Sequence, residues 1–203
     1  MKMRALSMIV LLLMLFCSSM FAYDKTTQKT IHLSGITKID GYYCKGWITM
    51  TNQGRLISFD SAAPIKMNIG VIPTGSRIVL FSNMKIQSVC LFKPTLLQGL
   101  PCIGQGPESP VMTFYPDGSL RTCYLTTNTW IQGILCHHGT FSRIILSPTG
   151  KLISCELAKT QKIGNQVVKA RSVITLDESG RLLHVRKSNP VRSMFFDMMD
   201  KIL

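Results

Sequence analysis

Acidic residues are the first scarcity. The 203-residue chain carries 10 Asp+Glu against 23 Lys+Arg, a formal net charge of +13. Carboxylates are the usual material of acid/base catalysis and of hard-cation sites, so both chemistries are starved of ligands here. Only 16% of the chain is charged while 46% is hydrophobic, which excludes a disordered polymer. There is no Gly-x-Ser-x-Gly, His-Glu-x-x-His or Cys-x2-Cys, and no phosphate-cradling glycine loop ahead of a helix. The composition points to a non-enzyme with no cofactor and no bound metal. The length suits one domain with a real core.

Lys2 and Arg4 precede the apolar run Ile9–Phe16, and the small residues Cys17, Ser18, Ser19 and Ala22 follow. The run is shorter than the roughly 20 residues of a spanning helix, so 1–22 reads as a signal peptide. The expectation is an exported protein, periplasmic, surface-borne or secreted, with no transmembrane span. Cys17 could carry a lipid anchor only after a small residue, and Phe16 stands there instead.

What the chain has in abundance is repetition. MTNQGRL (50–56), FYPDGSL (114–120), LSPTGKL (146–152) and LDESGRL (176–182) share one layout, and LFSNMKI (80–86) fits with Met84 in place of glycine. The anchors 54, 84, 118, 150 and 180 lie 30, 34, 32 and 30 residues apart. Apolar residues stand six and four before each anchor, and two and five after it. The first two follow the period of a strand with one buried face. Pro-Asp-Gly and Pro-Thr-Gly suit a type I turn closed by a left-handed glycine and a bulge. That register sets Phe114 opposite Leu120 and Leu146 opposite Leu152. The residue five after the anchor has the other parity, so the second strand is apolar on both faces or a bulge swaps them. Met84 resists a left-handed conformation, so its turn is expected to differ.

A second motif recurs between hairpins: Gly41-Tyr-Tyr-Cys44-Lys-Gly46, Gly99-Leu-Pro-Cys102-Ile-Gly104 and Gly133-Ile-Leu-Cys136-His-His-Gly139. It reads as a third short strand per repeat. The expected fold is all-β: an antiparallel meander of five hairpin repeats over 23–188, as an elongated sheet or solenoid. A five-bladed propeller is the alternative. The stretch DGYYCKGWITMTNQGRL (40–56) resembles MORN-type hairpin repeats in its turn, with a longer period and without their aromatic-glycine pattern. The resemblance covers the hairpin turns and assigns no residue a role. Residues 23–38 read as an opening strand. Over 189–203 the spacing of Val191, Met194, Phe195, Met198 and Ile202 predicts a short helix capped by Asn189 and started by Pro190.

The six cysteines beyond Cys17 sit at repeated positions, which suits structure better than catalysis. In an oxidising compartment the neighbouring-strand argument predicts disulfides Cys90–Cys102 and Cys123–Cys136, with Cys44 and Cys155 as thiols; 102–123 with 136–155 is the alternative. Cys136-His137-His138 tempts as a metal or nucleophile cluster, but alternation along a strand would point neighbours to opposite faces. His32 and His184 stand alone. The basic excess is the remaining functional signal. Arg55, Lys85, Lys151 and Arg181 directly follow the anchors, and Arg121 stands two past the Ser119 of the remaining turn. In a stack these form an edge row, either guarding the edge or holding a polyanion such as an envelope glycan or lipid head group. Export makes nucleic acid the least natural partner. The leading reading is thus an exported scaffold presenting an extended β surface to a macromolecule. The alternatives are a structural component of the cell envelope and, behind it, an exported hydrolase.

Overall fold

The computed structural model describes residues 28–106 and 109–187. The signal peptide assigned to 1–22 and the helix assigned to 189–203 lie outside the described residues. Among the described residues no helix is long and apolar enough to cross a membrane.

The chain is all-β and antiparallel. It opens with β1 (Gln28–Ile39), β2 (Tyr42–Thr51) and β3 (Leu56–Ser61), followed by the short strands β4 (Ile65–Met67) and β5 (Gly70–Ile72). Then come β6 (Arg77–Leu80) and β7 (Ile86–Cys90), and the short pair β8 (Thr95–Leu97) and β9 (Leu100–Cys102). The alternation continues with β10 (Met112–Phe114), β11 (Leu120–Tyr124), β12 (Thr129–Ile131) and β13 (Ile134–Cys136). It closes with β14 (Arg143–Leu146), β15 (Leu152–Glu156), β16 (Gln161–Ile163), β17 (Gln166–Val168), β18 (Ser172–Leu176) and β19 (Leu182–Lys187). The longer strands form one 11-stranded sheet in the order β1-β2-β3-β6-β7-β10-β11-β14-β15-β18-β19. A propeller would split these strands among separate radial sheets, and this continuous meander does not.

The hairpin turns follow a single local rule. In the turns Thr51–Arg55, Phe81–Lys85, Tyr115–Ser119, Ser147–Lys151 and Asp177–Arg181, the first residue's N–H donates to the last carbonyl. The fourth residue's N–H donates back to the first carbonyl. That fourth residue has positive φ: Gly54, Met84, Gly118, Gly150 and Gly180. The expectation for Met84 is therefore corrected. Its φ is 66°, and its turn closes like the others despite the cost to a side chain in that region. The cost is offset because its side chain packs against the core.

Register follows from these turns. Met50 faces Leu56, Leu80 faces Ile86, Phe114 faces Leu120, Leu146 faces Leu152, and Leu176 faces Leu182. One residue later the register slips, so that Ile145 faces Ser154 and Thr113 faces Thr122. This bulge is the swap anticipated above: Leu152 and Cys155 both reach the core although they differ in parity.

The short strands correct another expectation. The glycine motif is not a lone third strand; it is the second arm of a short hairpin. β8 pairs with β9, β12 with β13 and β16 with β17, in strands that do not belong to the main sheet. Their inward residues Ile72, Leu97, Cys102, Ile131, Cys136, Ile163 and Val168 join one core cluster with Ile48, Phe59, Ile78, Phe114 and Ile144 of the main sheet. The molecule is thus two-layered, with a meander on one side and small hairpins on the other. In the first unit the two are continuous, because β1 runs along the whole of β2.

The bulge makes a specific prediction. Leu152→Ala should lower unfolding free energy by about 3 kcal/mol, the cost of emptying a fully packed core position. Ile153→Ala, on the bulge and pointing away from the core, should cost less than about 1 kcal/mol. Urea unfolding of both variants checks the pair, and equal losses would contradict the register.

Candidate functional site

Two rows of side chains cross the sheet face that the short hairpins leave open. One runs Thr30, Thr49, Ser58, Val79, Ser88, Thr113, Thr122, Ile145, Ser154, Thr175 and His184, each directly opposite the next. The row is mostly hydroxyls, spaced by about 4.8 Å, the separation of neighbouring strands. The second row lies two residues along each strand, four in β2 where the register shifts, and pairs Lys45 with Asp60, Asp60 with Arg77, Arg77 with Cys90, Tyr124 with Arg143, and Val173 with both Glu156 and Arg186.

Two depressions interrupt this second row. The larger, about 400 Å³, is lined by Tyr124, Phe141, Arg143, Glu156, Arg186 and Lys187, among others. The smaller, about 200 Å³, lies among Lys45, Asp60, Arg77 and Phe92. Arg77 there makes a two-armed pair with Asp60 at 2.9 and 3.1 Å. Phe92 and Phe141 are each about half exposed at the margins.

Glu156 is the chemical centre of the larger cleft. It is 7% exposed, and its Oε2 accepts from the Ser142 hydroxyl at 2.8 Å. Its Oε1 lies 3.3 Å from Arg171 Nη1 without a hydrogen bond of proper geometry. The Ser142 oxygen is also 3.0 Å from His137 Nδ1, and Arg171 Nη1 meets His137 Nε2. Polarity fixes the protons. Ser142 gives its hydrogen to Glu156, so Nδ1 must donate to Ser142, and Nε2 is left bare for the guanidinium. A Ser–His contact in this state does not activate a nucleophile, since the imidazole donates to the serine rather than accepting from it. Burial first, and the charge of Arg171 second, push the His137 pKa down.

Strand alternation does not separate His137 and His138. β13 ends at Cys136, and the two rings stack at 4.9 Å. His138 bonds Asn128 rather than joining the Glu156 cluster. Among the described residues no group of three or more His, Cys, Asp and Glu is placed to hold a metal ion. His32 packs edge-on against Trp47.

The edge row of cations occupies the turns, where it binds the protein itself. Arg55 donates to the Ser82 carbonyl of the next turn at 3.1 Å, and Lys151 donates to that of Glu178 at 2.8 Å. Lys85 adds its charge beside Asp117, whose carboxyl is held below its usual range chiefly by the Ser119 backbone N–H. Arg181, in the last turn, closes on its own Asp177 at 2.8 Å. Arg121 lies over the Tyr115 ring at 5.6 Å. Arg55 and Lys151 thus stitch the first turn to the second and the fourth to the fifth.

The six cysteines among the described residues are thiols in this structure. Cys90 does not approach Cys102. Val89 and Leu91 on either side of it are buried in the core, so Cys90 points to the open face beside Arg77. Cys123 instead contacts Cys102, and Cys155 contacts Cys136; these thiol contacts and burial push both pKa values up. Cys44 is buried, and burial raises its thiol to about 11. The sequence argument assumed a single layer, and folding the short hairpins over the sheet reverses the neighbours.

No family model, no curated protein and no solved structure matches the chain.

The His137 environment carries a pH consequence. The folded state holds this ring neutral below the pH at which the unfolded chain protonates it, about 6.5. The unfolded state then binds more protons, so the contribution of His137 to stability is present above about pH 6.5 and falls away as the pH drops. Comparing urea unfolding at pH 7.5 and 5.5, His137→Gln should show a smaller loss than the parent chain. An equal loss would place the acid sensitivity elsewhere.

Proposed function

We infer that the chain is an exported, non-enzymatic scaffold of five β-hairpin repeats that holds an anionic macromolecule, an acidic glycan, along its open face. The observation that carries this reading is the larger cleft, where the exposed cations Arg143, Arg186 and Lys187 surround one buried carboxylate. The cations suit the carboxylates of a glycan. Sugar hydroxyls add donors for the oxygens of the open face, which a fully ionised phosphodiester lacks. Phe141 and Tyr124 supply ring faces for the apolar side of a sugar. The smaller depression lies on the same row, with Arg77 of β6 four strand spacings from Arg143 of β14, about 19 Å. A linear polymer, rather than a single small molecule, spans that length. Hydroxyls along the parallel row add hydrogen-bond partners without charge.

The second reading is a structural component of the envelope with no such ligand. The turn cations favour it, because their bonds to neighbouring turns leave them a stabilising task.

Retention on immobilised polygalacturonate and heparin separates the readings. Arg143→Ser/Arg186→Ser/Lys187→Ser should weaken binding at least about tenfold, and salt should weaken the parent's binding steeply. Arg55→Ser/Lys85→Ser/Lys151→Ser/Arg181→Ser should leave retention near that of the parent while lowering thermal stability. Loss confined to the turn variant would move the ligand to the edge row. No retention by the parent chain would favour the structural reading.

A further inference from the structure

The core column between the two layers carries sulfur in pairs. Cys102 bridges Leu125 across the layers, and Cys136 bridges Leu157 in the next unit. The flanking bonds match: Ile103 N–H to the Tyr124 carbonyl at 2.8 Å and Thr126 N–H to that of Pro101 at 2.8 Å. In the next unit His137 N–H reaches the Glu156 carbonyl at 2.7 Å and Ala158 N–H that of Leu135 at 3.0 Å. Antiparallel partners share a face, and so do residues two apart on one strand. Cys123 therefore faces the same side as Cys102, and Cys155 the same side as Cys136. All four are fully buried.

The other units supply a control. At the corresponding positions stand Ile72 with Val89, and Val168 with Val185, so in these two units sulfur occupies neither position. Cys44 opposes Ser61, and the residue two before Ser61 is Phe59, so that unit holds one thiol and no partner at the paired position. Cys90 lies on the other face.

We propose that Cys102–Cys123 and Cys136–Cys155 are disulfide-forming sites, closed by exchange with a small-molecule or protein disulfide. One cysteine thiolate attacks the donor's S–S bond, giving a mixed disulfide and releasing one donor thiol. The partner cysteine then loses its proton and displaces the second donor thiol. Two electrons and two protons pass from each cysteine pair to the donor disulfide. The neighbouring sulfur and burial keep Cys123 and Cys155 protonated once the layers have closed, so the exchange belongs to the folding chain and the closed layers shield the product. This inference does not depend on the glycan reading.

The test is to refold the full chain in a mixed reduced and oxidised glutathione buffer, block free thiols, and map it without reduction. Digestion needs chymotrypsin as well as trypsin, because no Lys or Arg separates Cys123 from Cys136 whereas Trp130 does. The expected links are 102–123 and 136–155, with Cys44 and Cys90 blocked. Reduction should lower the melting temperature by roughly 10 °C. Cys102→Val/Cys123→Val copies the apolar pair of the last unit. It should fold, lose only the first link and show about half the effect of reduction. Links 90–102 or 123–136, or four blocked thiols in a folded chain from the oxidising buffer, would overturn the proposal.

Discussion

One extra residue per hairpin governs the architecture. The left-handed fourth position of each turn, followed by a register slip, rotates the returning strand so that two positions of opposite parity face the same side. Without the slip, Cys155 would share the open face with Ile153, and Ser154 and Glu156 would follow Leu152 into the core. With it, the returning strands β7, β11 and β15 each offer the core a residue beside the turn, a second three positions later and a third at Leu91, Leu125 or Leu157. That last residue lies where the main strand ends, and in the cysteine-bearing units it is the one that bridges to the short hairpin. The same rotation sends Ser154 and Glu156 to opposite fates from Cys155, and so creates the open face.

Attachment of the second layer is a matter of polar satisfaction as much as of apolar area. Asp40, Gln98 and Gln132 open two-residue loops with positive φ, and each is followed by a glycine that also has positive φ. Their side-chain oxygens accept the N–H of Leu56, Leu120 and Leu152, at 2.8, 3.2 and 3.1 Å. Those are the amides that the bulge strips from the ladder. A bulge buried under a second layer leaves a donor without a partner, at a cost of about 1–3 kcal/mol. The loop side chain supplies that partner, so bulge and short hairpin are two halves of one solution.

Much of the hairpin layer was legible in the sequence, because its information is local. A period of two, a turn signature and the offset of the apolar residues determine which residues face one another across Leu146 and Leu152. Met84 escaped that logic, since its backbone is set by neighbours that hold it rather than by its own preference. The second layer escaped it as well. Three-residue strands such as β8 and β12 are too short to show alternation, and glycine punctuation alone does not distinguish a single strand from the arm of a hairpin.

The candidate site was harder to read for a different reason. Arg55, Lys85, Lys151 and Arg181 are conspicuous because they repeat, yet Arg55 and Lys151 bond the next turn and Arg181 bonds its own. Glu156, Arg143 and Arg186 do not repeat as a set, and nothing near them in sequence announces a cleft. They meet because two hairpins, β14–β15 and β18–β19, place the eighth, ninth and eleventh strands of the main sheet side by side or nearly so, and only strand order supplies that. The one available signal was negative. In a chain with 10 acidic residues, an acid between Cys155 and Leu157 on a buried strand is an anomaly that burial alone would forbid. Arg171 beside one oxygen and Ser142 on the other make the charge tolerable. A buried carboxylate persists only with such partners, so the cleft is organised around one paired charge, whereas the repeated edge is organised around the turns themselves.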